Sequence, residues 1–166
     1  ATEVLASPIN AAAIRLLTRS GIEVVTPAGE ACCGGLVHHM GRERQAHAQA
    51  RNNIDVWTRE IEREGLDAIL VTTSGCGTTL KDYGFMFRTE PAYAQKAARV
   101  AALAKDVTEY LAGMELVPVR RPGCVVAYHA ACSLQHGQRV LREPKELLAR
   151  AGFVVRDIPE GHICCG

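Results

Sequence analysis

Two stretches of this chain set a pair of adjacent cysteines before a glycine: Cys32-Cys33-Gly34, and Cys164-Cys165-Gly166 at the end of the sequence. A disulfide between neighbouring cysteines strains the peptide that joins them. Such a pair is better suited to direct two thiolates at one multi-metal centre, with the glycine letting backbone come close. The plainer reading takes both pairs as small buried hydrophobes, but the surroundings of the two tripeptides also agree. Leu16-Leu17-Thr18-Arg19-Ser20-Gly21 answers to Leu147-Leu148-Ala149-Arg150-Ala151-Gly152 at an offset of 131 residues. Pro27, Cys32 and Cys33 answer to Pro159, Cys164 and Cys165 at an offset of 132, so one residue of slip in a loop reconciles the two. This is an internal duplication with a period too long for a solenoid, and the repeating unit is a small domain.

The seven cysteines fall as these two pairs plus Cys76, Cys124 and Cys132, unlike the spread of a secreted disulfide scaffold. Metal or redox chemistry in a reducing compartment, the cytoplasm, is the expectation. Between Cys132 and Cys164 lie 31 residues. Moving back 132 from Cys132 lands immediately upstream of Ala1, where a cysteine would give the first unit the same spacing to Cys32. A sequence that opens without methionine and closes inside a motif is expected to be a fragment, each half-site cut at a chain end. A net charge of +1 with no basic block argues against nucleic acid or an anionic membrane as the main partner. No run of about 18 apolar residues, the length of a membrane span, occurs.

Alternating helical and extended patterns must position these cysteines. Ser7 as N-cap and Pro8 at the first helical position predict a helix over 8–19, closed by Gly21 and followed by a short strand over 22–25. A loop then delivers Cys32 and Cys33. The spacing of Ala50, Ile54, Trp57 and Ile61 predicts a helix from Gly35 to about Arg63, bearing His38, His39 and His47 as solvated histidines or, for the first two, as neighbours of a metal on Cys33. Residues 67–73 read as a buried strand of a parallel sheet, with Ser74-Gly75-Cys76-Gly77 at its carboxyl end, where open α/β sheets place their ligands. Residues 81–88 read as irregular or a short helix whose aromatics pack a lid. Tyr93, Ala97, Val100, Ala104, Val107 and Leu111 predict one helix from Pro91 to Gly113, and residues 116–119 a brief extended piece before a turn at 120–123. A second buried strand is expected over 124–129, with Cys124 structural and His129 either hydrogen-bonded to a thiolate or a satisfied strand-end histidine. Residues 132–141 should be helical, a further helix should start at Pro144, and 153–156 should be a strand leading to Cys164 and Cys165. The fold class is α/β: a parallel-sheet, Rossmann-like, cysteine-rich domain with internal duplication. The first unit covers 1–123, and the second starts at 124 and breaks off at 166.

The Cys-x31-Cys-Cys-Gly spacing, followed by a strand and a further cysteine motif, resembles the cysteine-rich CCG domain of the heterodisulfide reductase B-subunit family. That family includes iron–sulfur subunits of glycolate oxidase, of anaerobic glycerol-3-phosphate dehydrogenase and of lactate-utilisation complexes. Residues 50–57 (Ala-Arg-Asn-Asn-Ile-Asp-Val-Trp), 73–77 (Thr-Ser-Gly-Cys-Gly), 132–139 (Cys-Ser-Leu-Gln-His-Gly-Gln-Arg) and 162–166 (His-Ile-Cys-Cys-Gly) are most similar to the glycolate oxidase branch. The resemblance implies an iron–sulfur site formed by Cys32, Cys33 and Cys76 in the first unit and by Cys132, Cys164 and Cys165 in the second. The family's Cys-x2-Cys pair falls here on Thr73 and Cys76, so Thr73 takes the place of one sulfur. An upstream cysteine would then complete four thiolates, the complement of a [4Fe–4S] cube.

The function so implied is electron transfer by a non-catalytic subunit of a glycolate (2-hydroxy acid) oxidase or dehydrogenase complex. Electrons would arrive from flavin-containing partner subunits, and none of this chain's residues would be catalytic. The full-length protein would hold a [4Fe–4S] cluster, absent or replaced by zinc in this fragment. The location would be cytoplasmic, peripheral to the inner membrane through the complex. A zinc-stabilised cysteine-rich interaction domain without a redox role is the alternative from another class. A thiol–disulfide enzyme is a weaker one, because no Cys-x-x-Cys is present.

Overall fold

Helices dominate residues 6–115 and 123–163, which the computed structural model describes. The first, α1 (Ser7–Arg19), begins one residue before Pro8 with Ala6 as N-cap, and Ser7 makes no capping bond. Its end is built by Gly21 at φ +80°, where the Ile22 amide bonds the Leu17 carbonyl (3.1 Å) and the Gly21 amide that of Thr18 (3.1 Å). This is a Schellman closure, which requires the left-handed backbone that glycine adopts without strain. Helix α7 (Glu143–Arg150) ends in the same way, with Gly152 at φ +92°, Phe153 bonded to Leu148 (3.0 Å) and Gly152 to Ala149 (2.9 Å). The duplication seen in sequence is thus repeated bond for bond.

After α1 the two copies diverge. In the second, β3 (Val125–Tyr128) and β4 (Val154–Asp157) pair in parallel, Val125 opposite Val154 and Tyr128 opposite Asp157. In the first, residues 22–25 join no sheet among the described residues, so the expected strand is not seen there. The physical reason is that a strand is made by pairing, and no described segment pairs with 22–25. The 124–129 strand is confirmed in position but is not buried on both faces, since Val125 is 59% and Val154 41% exposed.

The expected long helix over 35–63 is two, α2 (Gly35–His39) and α3 (Glu43–Arg63), parted at Gly41, whose φ is +73°. Strand β1 (Ile69–Val71) leads into α4 (Ser74–Met86), so of the two readings for 81–88, irregular or a short helix, the chain is helical through Met86, in a helix that starts earlier than expected. Its aromatics form no lid: Tyr83 and Phe87 are fully buried, and only Phe85 faces outward. The expected helix over 91–113 is interrupted, giving α5 (Ala94–Leu103), β2 (Ala104–Asp106) and α6 (Val107–Ala112). Here two forces beat periodicity. Ala104–Asp106 pairs in parallel with Ile69–Val71, and Asp106 starts a new helix through a capping box with Glu109, its carboxylate accepting the Thr108 amide at 2.9 Å. A π-helix (Ser133–Gln138) stands where 132–141 was expected to be helical. Residues 116–122, with the extended piece expected at 116–119, lie outside the described residues, as do Cys164 and Cys165.

One core joins α3, α4, α5, β1 and β2 through Ala50, Ile54, Trp57, Leu80, Tyr83, Phe87 and Val100, and Cys33 belongs to it. A smaller cluster of Leu17, Leu111 and Leu147 ties α1, α6 and α7 together. The architecture is α/β with short parallel sheets.

Candidate functional site

Two helices hold the first Cys-Cys-Gly loop from behind. Asn53, fully buried on α3, accepts the Ala31 amide at 2.8 Å and donates to the carbonyls of Ala31 (3.0 Å) and Cys32 (3.3 Å). One side chain thereby does for the loop what a neighbouring strand would. Tyr83, from α4, donates its hydroxyl to the Cys33 carbonyl at 2.7 Å. Burial raises the Tyr83 pKa above the ordinary phenol value, so this donor keeps its proton. Gly34 sits at φ +84°, and a Cβ there would come within 2.8 Å of the Ala46 carbonyl of α3. The glycine of the motif therefore serves close approach of the loop to a helix.

The loop so fixed leaves Cys32 exposed and Cys33 buried at 9%, while Cys76, half-buried, occupies the first turn of α4. The Cys33 sulfur lies beside the thiols of Cys76 and Cys32 and beside the Gly35 backbone. The bond to Cys76 and burial both push the Cys33 thiol up, and the same bond draws Cys76 down to about 7. Of the pair, Cys76 is therefore the thiol that ionises more readily, in the first turn of a 13-residue helix whose dipole favours an anion. The structure places Cys32, Cys33 and Cys76 on the wall of one cavity. They run as a chain through Cys33, and among the described residues no three His, Cys, Asp or Glu surround a point for a single ion. The donor chemistry, thiols joined on three sides by protein, matches the ligands of an iron–sulfur cluster, which spreads its attachment over several metal atoms.

Cys132 stands at the start of the π-helix, which packs on the first turn of α4. Ser133 donates to the Ser74 hydroxyl at 2.8 Å, Thr78 to the Ser133 carbonyl at 3.0 Å, and Gln138 to the Ser74 carbonyl at 2.9 Å. Ser74 and Ser133 each lie beside a candidate cysteine, so these bonds set the turn bearing Cys76 against the turn bearing Cys132. From the same turn, Gln135 donates to Gly161 (3.2 Å) and the His136 ring to His162 (3.1 Å), while His129 bonds the Ile163 carbonyl at 3.3 Å. His129 thereby holds the segment that leads to Cys164. Cys124 is exposed at the head of β3, and its carbonyl accepts the Val154 amide at 2.9 Å. His47 pairs with Glu90 at 3.5 Å, and the Nδ1 atom of His38 is buried with no partner.

Asn53, Tyr83, Gln135 and His136 did not emerge from the sequence as functional residues. Asn53 carried one signal: it interrupts the apolar stripe of Ala46, Ala50, Ile54 and Trp57, and a polar group on a buried stripe must have a partner.

The comparisons with known proteins agree with this arrangement. The chain is 43% identical to the glycolate oxidase iron-sulfur subunit of Escherichia coli (strain K12), over 100% of its own length and 41% of that protein. It is 28% identical to the probable glycolate oxidase iron-sulfur subunit of Bacillus subtilis (strain 168), over 96% of this chain and 36% of the relative. Lactate utilization protein A of Bacillus licheniformis is 27% identical over 99% of this chain and 68% of its own length. The chain thus spans about two fifths of the length of the glycolate oxidase subunits it matches. No solved structure matches it. A family model, CCG, described as a cysteine-rich domain, matches residues 2–81 and 126–166, the stretches that carry both cysteine pairs and Cys76 and Cys132. Matched over both stretches, the chain belongs to the CCG cysteine-rich domain family.

Proposed function

We propose that this chain is the cysteine-rich part of the iron–sulfur subunit of a complex that oxidises glycolate or a related 2-hydroxy acid, and that it relays electrons from a flavin-bearing subunit to an acceptor. The observation that carries the reading is that Cys32, Cys33 and Cys76 line one cavity wall, placed there by a loop and a helix end. The printed names of the relatives, glycolate oxidase iron-sulfur subunits and lactate utilization proteins, point to the same chemistry. In this reading Cys32, Cys33 and Cys76 ligate one centre in a first unit, 1–123. Cys132, Cys164 and Cys165 serve a second, in the unit that starts at 124.

A bound [4Fe–4S] cluster supplies one-electron redox chemistry. The residues of this chain hold and tune it. Asn53 and Tyr83 fix the backbone of Cys32 and Cys33, the Gly35 amide faces the Cys33 sulfur, and the surrounding core keeps water from that sulfur. Hydrogen bonds to ligand sulfur and low exposure are the levers by which protein sets a cluster potential. The partners are oxidase subunits, and the site of action is the cytoplasm. Among the described residues no helix is long and apolar enough to cross a membrane.

The test is anaerobic purification of the full-length subunit, with iron, acid-labile sulfide and electron paramagnetic resonance measured on wild type and on Cys33→Ser. The expected result is that Cys33→Ser loses one cluster's worth of iron and sulfide and its resonance, while the flavin subunit still oxidises substrate with an artificial acceptor. Full iron content and an unchanged spectrum in Cys33→Ser would remove Cys33 from the ligand set. Zinc in place of iron throughout would overturn the redox reading.

A further inference from the structure

A cavity of about 820 Å³ separates residues 22–26 from β1. Ile22, Val24 and Thr26 line one side and Leu66, Leu70 and Thr72 the other, with Trp57 and Tyr110 among the remaining walls. Strand β1 has β2 along one edge, and no residue of β2 borders the cavity, so the space lies on the side of β1 that has no partner. Among the described residues, the backbone of residues 23–26 makes no hydrogen bond to backbone. Two runs of backbone thus face each other across a gap, each with main-chain donors and acceptors that no described backbone group takes up. Such groups require partners when they are covered, and an open edge inside an α/β layer is an unstable arrangement.

The second half of the molecule shows what belongs in the gap. Counted from the matched glycines Gly21 and Gly152, residues 22–25 correspond to 153–156, which lead into and form most of β4, and β4 is paired along its whole length with β3. We propose that the cavity is the seat of one parallel β-strand with the apolar pattern of β3 (Val-Val-Ala-Tyr). It is supplied by the residues that precede Ala1 in a longer protein of this family. Placed there, the strand bonds residues 22–25 on one side as β3 bonds β4, and β1 on the other. The sheet order becomes 22–25, inserted strand, β1, β2, all parallel. That order has its topological switch between the inserted strand and β1, where open α/β sheets bind their ligands. Cys32, Cys33 and Cys76 all line the same cavity, at the end toward which β1 and an inserted parallel strand both run. The offset argument and the cavity are independent: one comes from repeat arithmetic, the other from empty space of strand shape. The length of chain is also available, since the glycolate oxidase relative is more than twice as long as this chain.

Hydrogen exchange with peptide-level readout tests this. In the full-length protein, amides of residues 23–25 and 70–72 are expected to exchange as slowly as those of β4. In the 166-residue chain they should exchange about a hundredfold faster, as local opening of an unpaired segment predicts. Copying residues 123–132 of this chain directly ahead of Ala1 reproduces the spacing of the second unit and should restore protection. The same extension with proline in place of both valines should not. Fast exchange at 23–25 in the full-length protein overturns the proposal, whether or not the shorter chain folds. Protection in the 166-residue chain that is independent of concentration overturns it as well. Protection that grows with protein concentration would instead assign the cavity to a second copy.

Discussion

The two Cys-Cys-Gly stretches share their sequence and their lead-in, yet the first loop and the described approach to the second have different partners. Loop one rests on Asn53 and Tyr83, both fully buried and drawn from two helices of the main core. The approach to loop two, residues 161–163, hangs from Gln135, His136 and His129, of which His136 and its contact are exposed. The helix, its glycine closure and the cysteine pair are present in both copies, and the buried clamp is described for the first loop. In a buried clamp each lost bond leaves an unpaired group in the core, whereas at the surface water replaces it. Substitutions in the two loops should differ accordingly.

The largest effect is expected from Asn53→Ala. It strands the Ala31 amide and the carbonyls of Ala31 and Cys32, and opens a hole on α3. A loss of about 4 kcal/mol is expected, at 1–3 kcal/mol for each buried unsatisfied group with partial relaxation. Denaturant unfolding of the reduced protein measures it. Gly34→Ala should come next, at roughly 3 kcal/mol, because a φ of +84° and a 2.8 Å approach to Ala46 act together. A loss of under 0.5 kcal/mol there would show that the loop can back away from α3. Tyr83→Phe keeps the ring and removes one bond, so about 1.5 kcal/mol is expected. Exchange at 32–35 should quicken, while the core packing of Phe87 is untouched.

How much of this was legible beforehand depends on whether the signal was local. The helix closures at Gly21 and Gly152 and the position of Cys76 beyond β1 follow from short-range chemistry, and the sequence displays them openly. The strand at Ala104–Asp106 was hidden inside a helical period, because Val100, Ala104, Val107 and Leu111 keep helix spacing across it. Yet Asp106-Val107-Thr108-Glu109 is a capping-box pattern, and it marks the break once it is read as a start signal. Residues 22–25 have good strand composition. What they lack is a neighbour, and pairing is a property of the sheet rather than of the segment. The docking of the Cys132 turn on Ser74 and Thr78 was equally out of reach. It depends on two hydroxyls meeting across 59 residues of chain.

The smallest effect, and the sharpest check on the contrast between the loops, is expected from His136→Ala. Its ring bonds the His162 carbonyl at 3.1 Å from an exposed position, and solvent can take over that acceptor. Unfolding free energy should change by less than about 0.5 kcal/mol, the range of surface substitutions away from special features. Exchange at 161–163 should nonetheless rise several-fold, because the bond fastens a loop that has little else behind it among the described residues. If His136→Ala cost as much as Tyr83→Phe, the approach to loop two would have to be buried in the full-length protein, and the two clamps would be equivalent after all. The same measurement on Gln135→Ala separates these outcomes. Gln135 bridges Ala130 (3.3 Å) and Gly161 (3.2 Å), so a buried loop two would make its loss the larger, and an exposed one would leave both small.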